Sequence, residues 1–314
     1  MRSDVGVVRE RNEDAAHVDE CGRFIIVADG MGGHGAGDVA SAMAVEIVRA
    51  CLEAEEAMLA AYAADPSVAG RTLLANQMRR AVERANQLVY ERSEREADKH
   101  QMGSTLELVV LCGHEAFIAH VGDSRTYLVR GARAAQLTSD HTVAETMRRA
   151  GTLSAEDAEA SPMRSVLSNA IGVTPTVSVD LLRVELRPGD RLLVCSDGLH
   201  DYFTREELAL HVAAGDPEAA LARMIDQARQ AGGHDNITGV MIEVVTRPAA
   251  TAPPIPLDEV EEEPTNPISM PVPPSVPVLL DGVSDRSLAN FVDQTLREQS
   301  RPNPVPLTDA GEQN

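Results

Sequence analysis

Residues 28–41 read ADGMGGHGAGDVAS. The stretch begins where an apolar run, FIIVA, ends on a single carboxylate, Asp29, and five glycines follow within eight residues. Glycine weakens a fold unless the backbone must turn unusually or approach something closely. The apolar run reads as a buried strand, and DVAS opens a helix, so this is a strand-to-helix turn of uncommon slimness. Two readings fit it. One is a phosphate-binding turn that uses its N–H groups. The other is a metal site in which Asp29 and the Gly30 carbonyl serve as oxygen ligands. No GK[ST] follows, and the turn alone does not separate the two readings.

Acidic residues elsewhere separate them. Asp29 ends IIVADG, Asp123 ends AHVGDS, Asp197 ends LLVCSDG, and Asp235 stands in GGHDNIT before the last apolar run. Glu13 and Asp14 add a pair in RNEDA. Three of the four aspartates have a glycine neighbour. Carboxylates that converge at one rim repel one another unless something positive neutralises them, and hard divalent cations favour all-oxygen sites. Two such ions can activate a water for in-line attack on phosphorus. Arg9, four residues before Glu13, has the forked geometry that grips phosphate oxygens.

Outward from this centre, residues 1–247 read as one α+β domain and 248–314 as a tail. Helices are expected over 38–63, 71–98, 204–215 and 216–233. Strands are expected at 22–30, 104–112, 115–124, 125–132, 177–186, 190–198 and 237–245. The short links CGH and GDSR make 104–132 read as consecutive antiparallel neighbours. The turn Arg187-Pro188-Gly189 makes 177–186 and 190–198 a further pair. Strands in blocks and helices in blocks argue against a Rossmann sheet. After Arg247 proline dominates and an acidic cluster occupies 258–263, which is the composition of a disordered, extended segment. Leu288, Phe291, Val292 and Leu296 share one face of a short helix over 284–299, read either as a transient helix or as a dock for a protein partner.

Composition excludes several classes. The net charge is −21 and Lys99 is the only lysine, which argues against general nucleic-acid binding. No apolar run approaches the length of a membrane span, and the first residues lack a signal-peptide core. The four cysteines form no CxxC pair, so a reducing compartment and a cytoplasmic location are expected. Cysteine-dependent phosphatases need arginine six residues after the cysteine, and those positions here are Val27, Ala57, Ile118 and Asp201. Neither GxSxG nor HExxH occurs.

The ordered set RERNEDA (9–15), VADGMGGHGAG (27–37), MGSTL (102–106), HVGDSRTYLVR (120–130), LTSDHT (137–142), CSDGLHD (195–201) and HDNITGVMI (234–242) resembles the PPM (type 2C) family of metal-dependent protein serine/threonine phosphatases, bacterial type. The resemblance covers essentially all of 4–245. It implies two packed antiparallel β-sheets flanked by helices, with metals in a cleft at one rim. It also implies Mn²⁺ or Mg²⁺, two ions with a third in bacterial members. By position, Asp29 would bridge the central pair, the Gly30 carbonyl would bind one ion, and Asp197 and Asp235 would complete its shell. Glu13 and Asp14 would face the second ion through water, while Asp123, Asp197 and Asp201 match the third site. Arg9 would grip the phosphate, and Asn236 would support the last ligand.

The implied reaction is hydrolysis of phosphoserine and phosphothreonine by metal-activated water, without a phosphoenzyme, in opposition to a serine/threonine kinase. Two other readings stand beside it: a regulatory module of the same fold, and an enzyme acting on a small phosphoester. Met31 stands where eukaryotic members carry histidine, which leaves the general acid open between nearby His34 and water. The segment 142–170 matches the family's flap, whose Arg148, Arg149 and Arg164 read either as substrate contacts or as solvated helix faces. Residues 1–3 are shorter than the family's usual first strand, so a shortened edge strand or a late start is expected.

Overall fold

The computed structural model describes residues 1–32 and 36–245. His34 and the whole 248–314 segment, with its expected helix, lie outside the described residues.

In chain order the elements are β1 (Arg2–Asp4), β2 (Asp14–Val18), β3 (Phe24–Met31), α1 (Gly37–Ala54), α2 (Glu56–Ala64), α3 (Val68–Arg95), β4 (Gly103–Ser104), β5 (Leu106–Cys112), β6 (Glu115–Val121), β7 (Arg125–Arg130) and β8 (Arg133–Gln136). There follow α4 (Val143–Arg149), α5 (Ala155–Glu159), β9 (Asp180–Glu185), β10 (Arg191–Cys195), α6 (Asp197–His200), α7 (Arg205–Ala213), α8 (Pro217–Gln230) and β11 (Ile237–Glu243). One sheet has the order β1-β11-β10-β7-β8, and the other β2-β3-β5-β6-β9 with β4 paired to β3. Every pairing within them is antiparallel.

Period-2 alternation builds the layers. Ile25 and Val27 point into the core between the sheets, where they meet Ile118, Leu128, Leu192 and Val194. Phe24, Ile26 and Ala28 face the other way, against Val48 and Leu52 of α1 and Met78 and Val82 of α3. On the far side Leu193 and Cys195 pack under Leu208 of α7 and Leu221 and Met224 of α8. The result is a helix–sheet–sheet–helix sandwich, as the α+β reading expects.

Two expected hairpins are absent. β6 is flanked by β5 and β9, and β7 by β10 and β8. The three residues 122–124 therefore carry the chain from one sheet to the other, and 186–190 carry it across between β9 and β10. Packed sheets lie about 10 Å apart, a gap that three residues span, so a short link does not distinguish a hairpin from a crossover. The expected helix over 38–63 is two helices broken at Glu55 (φ −103, ψ 17), a position with no glycine or proline. The bend lets Tyr62 pack edge-on against Phe117 and donate to Glu115. The second helix begins at Val68, earlier than expected, because Ser67 caps it by accepting from the Gly70 N–H. The first strand is short, and β1 pairs with β11 through Ser3 opposite Thr238.

Candidate metal centre and phosphate site

The strand ends converge as expected. A cleft of about 490 Å³ is lined by Arg9, Glu13, Asp29, Gly30, Thr105, Asp123, Asp197 and Asp235, together with flap residues of 165–170. Its floor comes from both sheets: Asp29 lies two residues before the end of β3, Asp197 follows β10, Asp123 follows β6, and Asp235 precedes β11. Asp14 and Asp201 lie beside the cleft rather than among its lining residues.

Asp29 is held by its backbone. Its N–H donates to Thr105 Oγ1 (2.9 Å), and its carbonyl accepts from the Thr105 N–H (2.8 Å) and Ser104 Oγ (3.0 Å). Its carboxyl is pushed well above the usual carboxylate range by burial first, then by Asp14, Asp197, Asp123 and Asp235. Asp14 stands directly across the β2–β3 ladder from Asp29. Burial, with Asp197 and Asp235 nearby, raises it to about 7 although Ser196 and Thr238 hydrogen-bond to it. Burial and Asp197 raise Asp123 to about 8. Asp197, the first residue of α6, is also raised, through burial and through Asp235 and Asp201. Glu13 is raised by burial, with Arg9 opposing.

The glycines of the opening stretch have a steric cause. A Cβ on Gly30 would fall on the Gly37 carbonyl oxygen and lie 2.6 Å from the Glu13 carbonyl oxygen. A Cβ on Gly37 would lie 2.7 Å from the Gly30 carbonyl and 2.8 Å from Glu13 Oε2. The Gly30 N–H donates to the Glu13 carbonyl at 3.1 Å. Three backbone segments thus meet within van der Waals reach beside Asp29, where no side chain fits.

Arg9 and Asn236 organise the other wall. Arg9 Nη2 donates to Asp235 Oδ2 at 2.7 Å, and both side chains are partly exposed. Burial would lower the Arg9 guanidinium, but Asp235, Glu13 and Asp29 together hold it above its ordinary value. Asn236 is buried; its Oδ1 accepts from the Glu13 N–H (2.7 Å), and its Nδ2 donates to the Val5 (3.0 Å) and Arg11 (2.9 Å) carbonyls. One amide therefore splints the loop that carries Arg9 and Glu13.

The three flap arginines are engaged by carboxylates. Arg148 and Arg149 both reach Glu145, and Arg164 Nη1 donates to Asp201 Oδ2 at 2.8 Å. Burial opposes ionisation of Asp201, yet His200 and Arg164 hold it well below the usual carboxylate range. Among the described residues no three His, Cys, Asp or Glu side chains form a closed metal cage. Instead Asp235 is taken by Arg9, and Asp201 by Arg164.

The donor set nevertheless suits a hard divalent cation. It consists of oxygens, and buried oxygens of Asp14, Asp38 and Asp197 have no hydrogen-bond partner. Crowded carboxylates with upward-shifted pKa values are what a cation would relieve.

Several contributors were not legible beforehand. Thr105 and Ser104 lie in the quoted MGSTL motif but were given no role, and Asp38 read only as a helix start. Ser196 Oγ donates to Asp14 Oδ2 at 2.9 Å, and buried His200 Nε2 meets the Asp123 carbonyl at 3.1 Å. His120 is a strand histidine with both ring nitrogens engaged: Nδ1 lies 2.5 Å from Glu107 Oε1 and Nε2 3.1 Å from the Ser139 carbonyl.

Comparison with known proteins agrees with this geometry. The sequence profile of the family Protein phosphatase 2C matches residues 7–239. The serine/threonine phosphatase stp of Listeria monocytogenes is 35% identical over 247 residues, covering 77% of this chain and 94% of that protein. The crystal structure of the Mycobacterium tuberculosis serine/threonine phosphatase PstP/Ppp is 33% identical, with a TM-score of 0.68, covering 78% of this chain and 97% of that one. A structure of the catalytic domain of PstP in complex with two manganese ions is 33% identical, with a TM-score of 0.65, covering 78% and 96%. The chain belongs to the protein phosphatase 2C family, in the branch of bacterial serine/threonine phosphatases.

Proposed function

We propose that this chain hydrolyses phosphoserine and phosphothreonine on proteins, opposing a serine/threonine kinase. The observation that carries this reading is the convergence of Glu13, Asp29, Asp123, Asp197 and Asp235 with Arg9 on one cleft. Asp29, the Gly30 carbonyl, Asp197 and Asp235 would hold one divalent cation, Mn²⁺ or Mg²⁺. Asp29 would share a second with Glu13 and Asp14, and Asp123, Asp197 and Asp201 would hold a third. Bound there, such ions supply charge neutralisation for the phosphoryl oxygens and a water acidic enough to ionise near neutral pH.

The chain's own residues do the rest. Arg9 uses one Nη for Asp235 and keeps its remaining N–H groups for phosphate oxygens. Asp235 fixes where that guanidinium points, and Asn236 fixes the loop beneath it. The Thr105 clamp fixes the Asp29 backbone, so the point from which its carboxylate projects is preorganised.

The test is phosphate release from a phosphothreonine peptide by the full chain in Mn²⁺, Mg²⁺ or EDTA. Release with metal and none in EDTA supports the reading. No release with either metal, from folded protein, overturns it.

A further inference from the structure

His141 is absorbed into none of the roles above, yet all of its polar atoms are engaged. Its backbone N–H donates to the Gly122 carbonyl (2.7 Å), and its Nδ1 accepts from the Gly122 N–H (3.2 Å). Both backbone groups of the residue preceding Asp123 are therefore gripped by one histidine. Its carbonyl accepts from the Ser168 N–H (2.8 Å), and Nδ1 also accepts from Asn169 Nδ2 (2.9 Å). The orientation of the Asn169 amide is set, because Oδ1 accepts from the Ser178 N–H and Nδ2 donates to the Ser178 carbonyl.

A backbone N–H only donates, so Nδ1 carries no proton and the proton sits on Nε2. Nε2 lies 3.2 Å from Asp180 Oδ2 on β9. That hydrogen bond is the leading cause of the lowered Asp180 carboxyl. The ring also packs against His120, with centroids 4.6 Å apart and planes tilted by 50°.

These contacts join two parts of the cleft. Ser168 and Asn169 belong to its flap wall, and Asp123 to its floor. The Asp123 turn is pressed in turn against Thr105: Gly122 has φ +107, and a Cβ there would lie 2.7 Å from Thr105 Cβ. Thr105 is the residue that clamps Asp29. A continuous path therefore runs from the flap through His141 and Gly122 to the centre of the site.

We propose that His141 is a positioning residue that locks the flap wall, residues 165–170, to the turn bearing Asp123, so that binding of a phosphopeptide depends on it more than the chemical step does. The peptide assay rests on the phosphatase reading; the exchange assay below does not.

The experiment compares the full chain in Mn²⁺ with His141→Leu, His141→Asn and Asp180→Ala. Two substrates are used, a phosphothreonine peptide and p-nitrophenyl phosphate, and amide exchange is followed without substrate. His141→Leu loses the acceptor and the Asp180 link, so the KM for the peptide rises about tenfold. Turnover of the small ester stays within about threefold, and exchange at 165–170 accelerates. In His141→Asn the Oδ1 can replace the Nδ1 acceptor, and most of the peptide KM returns. Asp180→Ala, outside the cleft lining, raises the peptide KM about threefold with faster exchange at 165–170. If His141→Leu does not fold, the other two variants decide. Unchanged exchange at 165–170 in the folded variants overturns the proposal, as does an equal fall in kcat on both substrates with KM unmoved. If wild type turns over neither substrate, the phosphatase reading fails, and the exchange data still decide whether His141 locks the flap.

Discussion

Asp14→Asn should make the metal-free protein more stable at pH 8, although it removes a residue of the candidate metal centre. The Asp14 carboxyl is raised from 3.8 to about 7. A raised carboxyl binds more protons in the folded than in the unfolded chain between those two values, so stability falls as pH rises through that window and is flat above it. A gap of about three pKa units is worth about 4 kcal/mol at pH 8. The asparagine still accepts from Ser196 Oγ through its carbonyl but buries an amide, which costs about 1 kcal/mol. The net gain is about 3 kcal/mol, or roughly 6–12 °C in Tm for a domain of this size.

The assay is thermal unfolding by circular dichroism from pH 5 to 9, in EDTA and in Mn²⁺. In EDTA the wild-type Tm falls from pH 5 to 8, and the variant's Tm falls less. In Mn²⁺ the order reverses, because the wild type recovers its Tm through binding and the variant recovers less. A variant that is less stable than wild type in EDTA at pH 8 would refute the claim that repulsion and burial govern this carboxyl. So would a wild-type Tm that does not change between pH 5 and 8.

Two further substitutions probe the walls of the cleft. Gly30→Ala drives a methyl onto the Gly37 and Glu13 carbonyls, so it should cost about 3 kcal/mol and lose most Mn²⁺-dependent stabilisation; a crystal structure with the backbone unmoved would contradict this. Asn236→Ala leaves the Glu13 N–H and the Val5 and Arg11 carbonyls without their partner and should cost roughly 3 kcal/mol, read as a lower urea midpoint at constant m; a midpoint equal to wild type would show that the splint is dispensable.

Much of the fold was legible because its strands are apolar runs with clear ends. FIIVA and RLLVC are each buried almost throughout, and each is followed within two residues by an aspartate. The convergence of those aspartates could be read from the strand ends alone. Sheet membership could not, because residues 122–124 and 186–190 are as short as hairpin turns yet pass between layers. The bend at Glu55 was hidden for a similar reason: its cause is the Tyr62–Glu115 contact across the fold, not a helix breaker. β2 and β8 were missed because DAAHV and RAAQ are short and half-buried, with too few alternations to register as strands. The residues that position the site were the least visible. Thr105 and Ser196 are ordinary in sequence, and their roles come from partners at positions 29 and 14.

On the reading proposed above, the carboxylates of this cleft hold the divalent cations on which phosphate release depends. The most direct measurement is calorimetric titration of Mn²⁺ into wild type and Asp29→Asn, with phosphate release from a phosphothreonine peptide followed on the same samples. The account predicts that wild type binds at least two ions and releases phosphate, and that Asp29→Asn, still folded, loses the tight binding and the release together. Mn²⁺ binding that is unchanged in Asp29→Asn, or phosphate release that survives in EDTA, would contradict it.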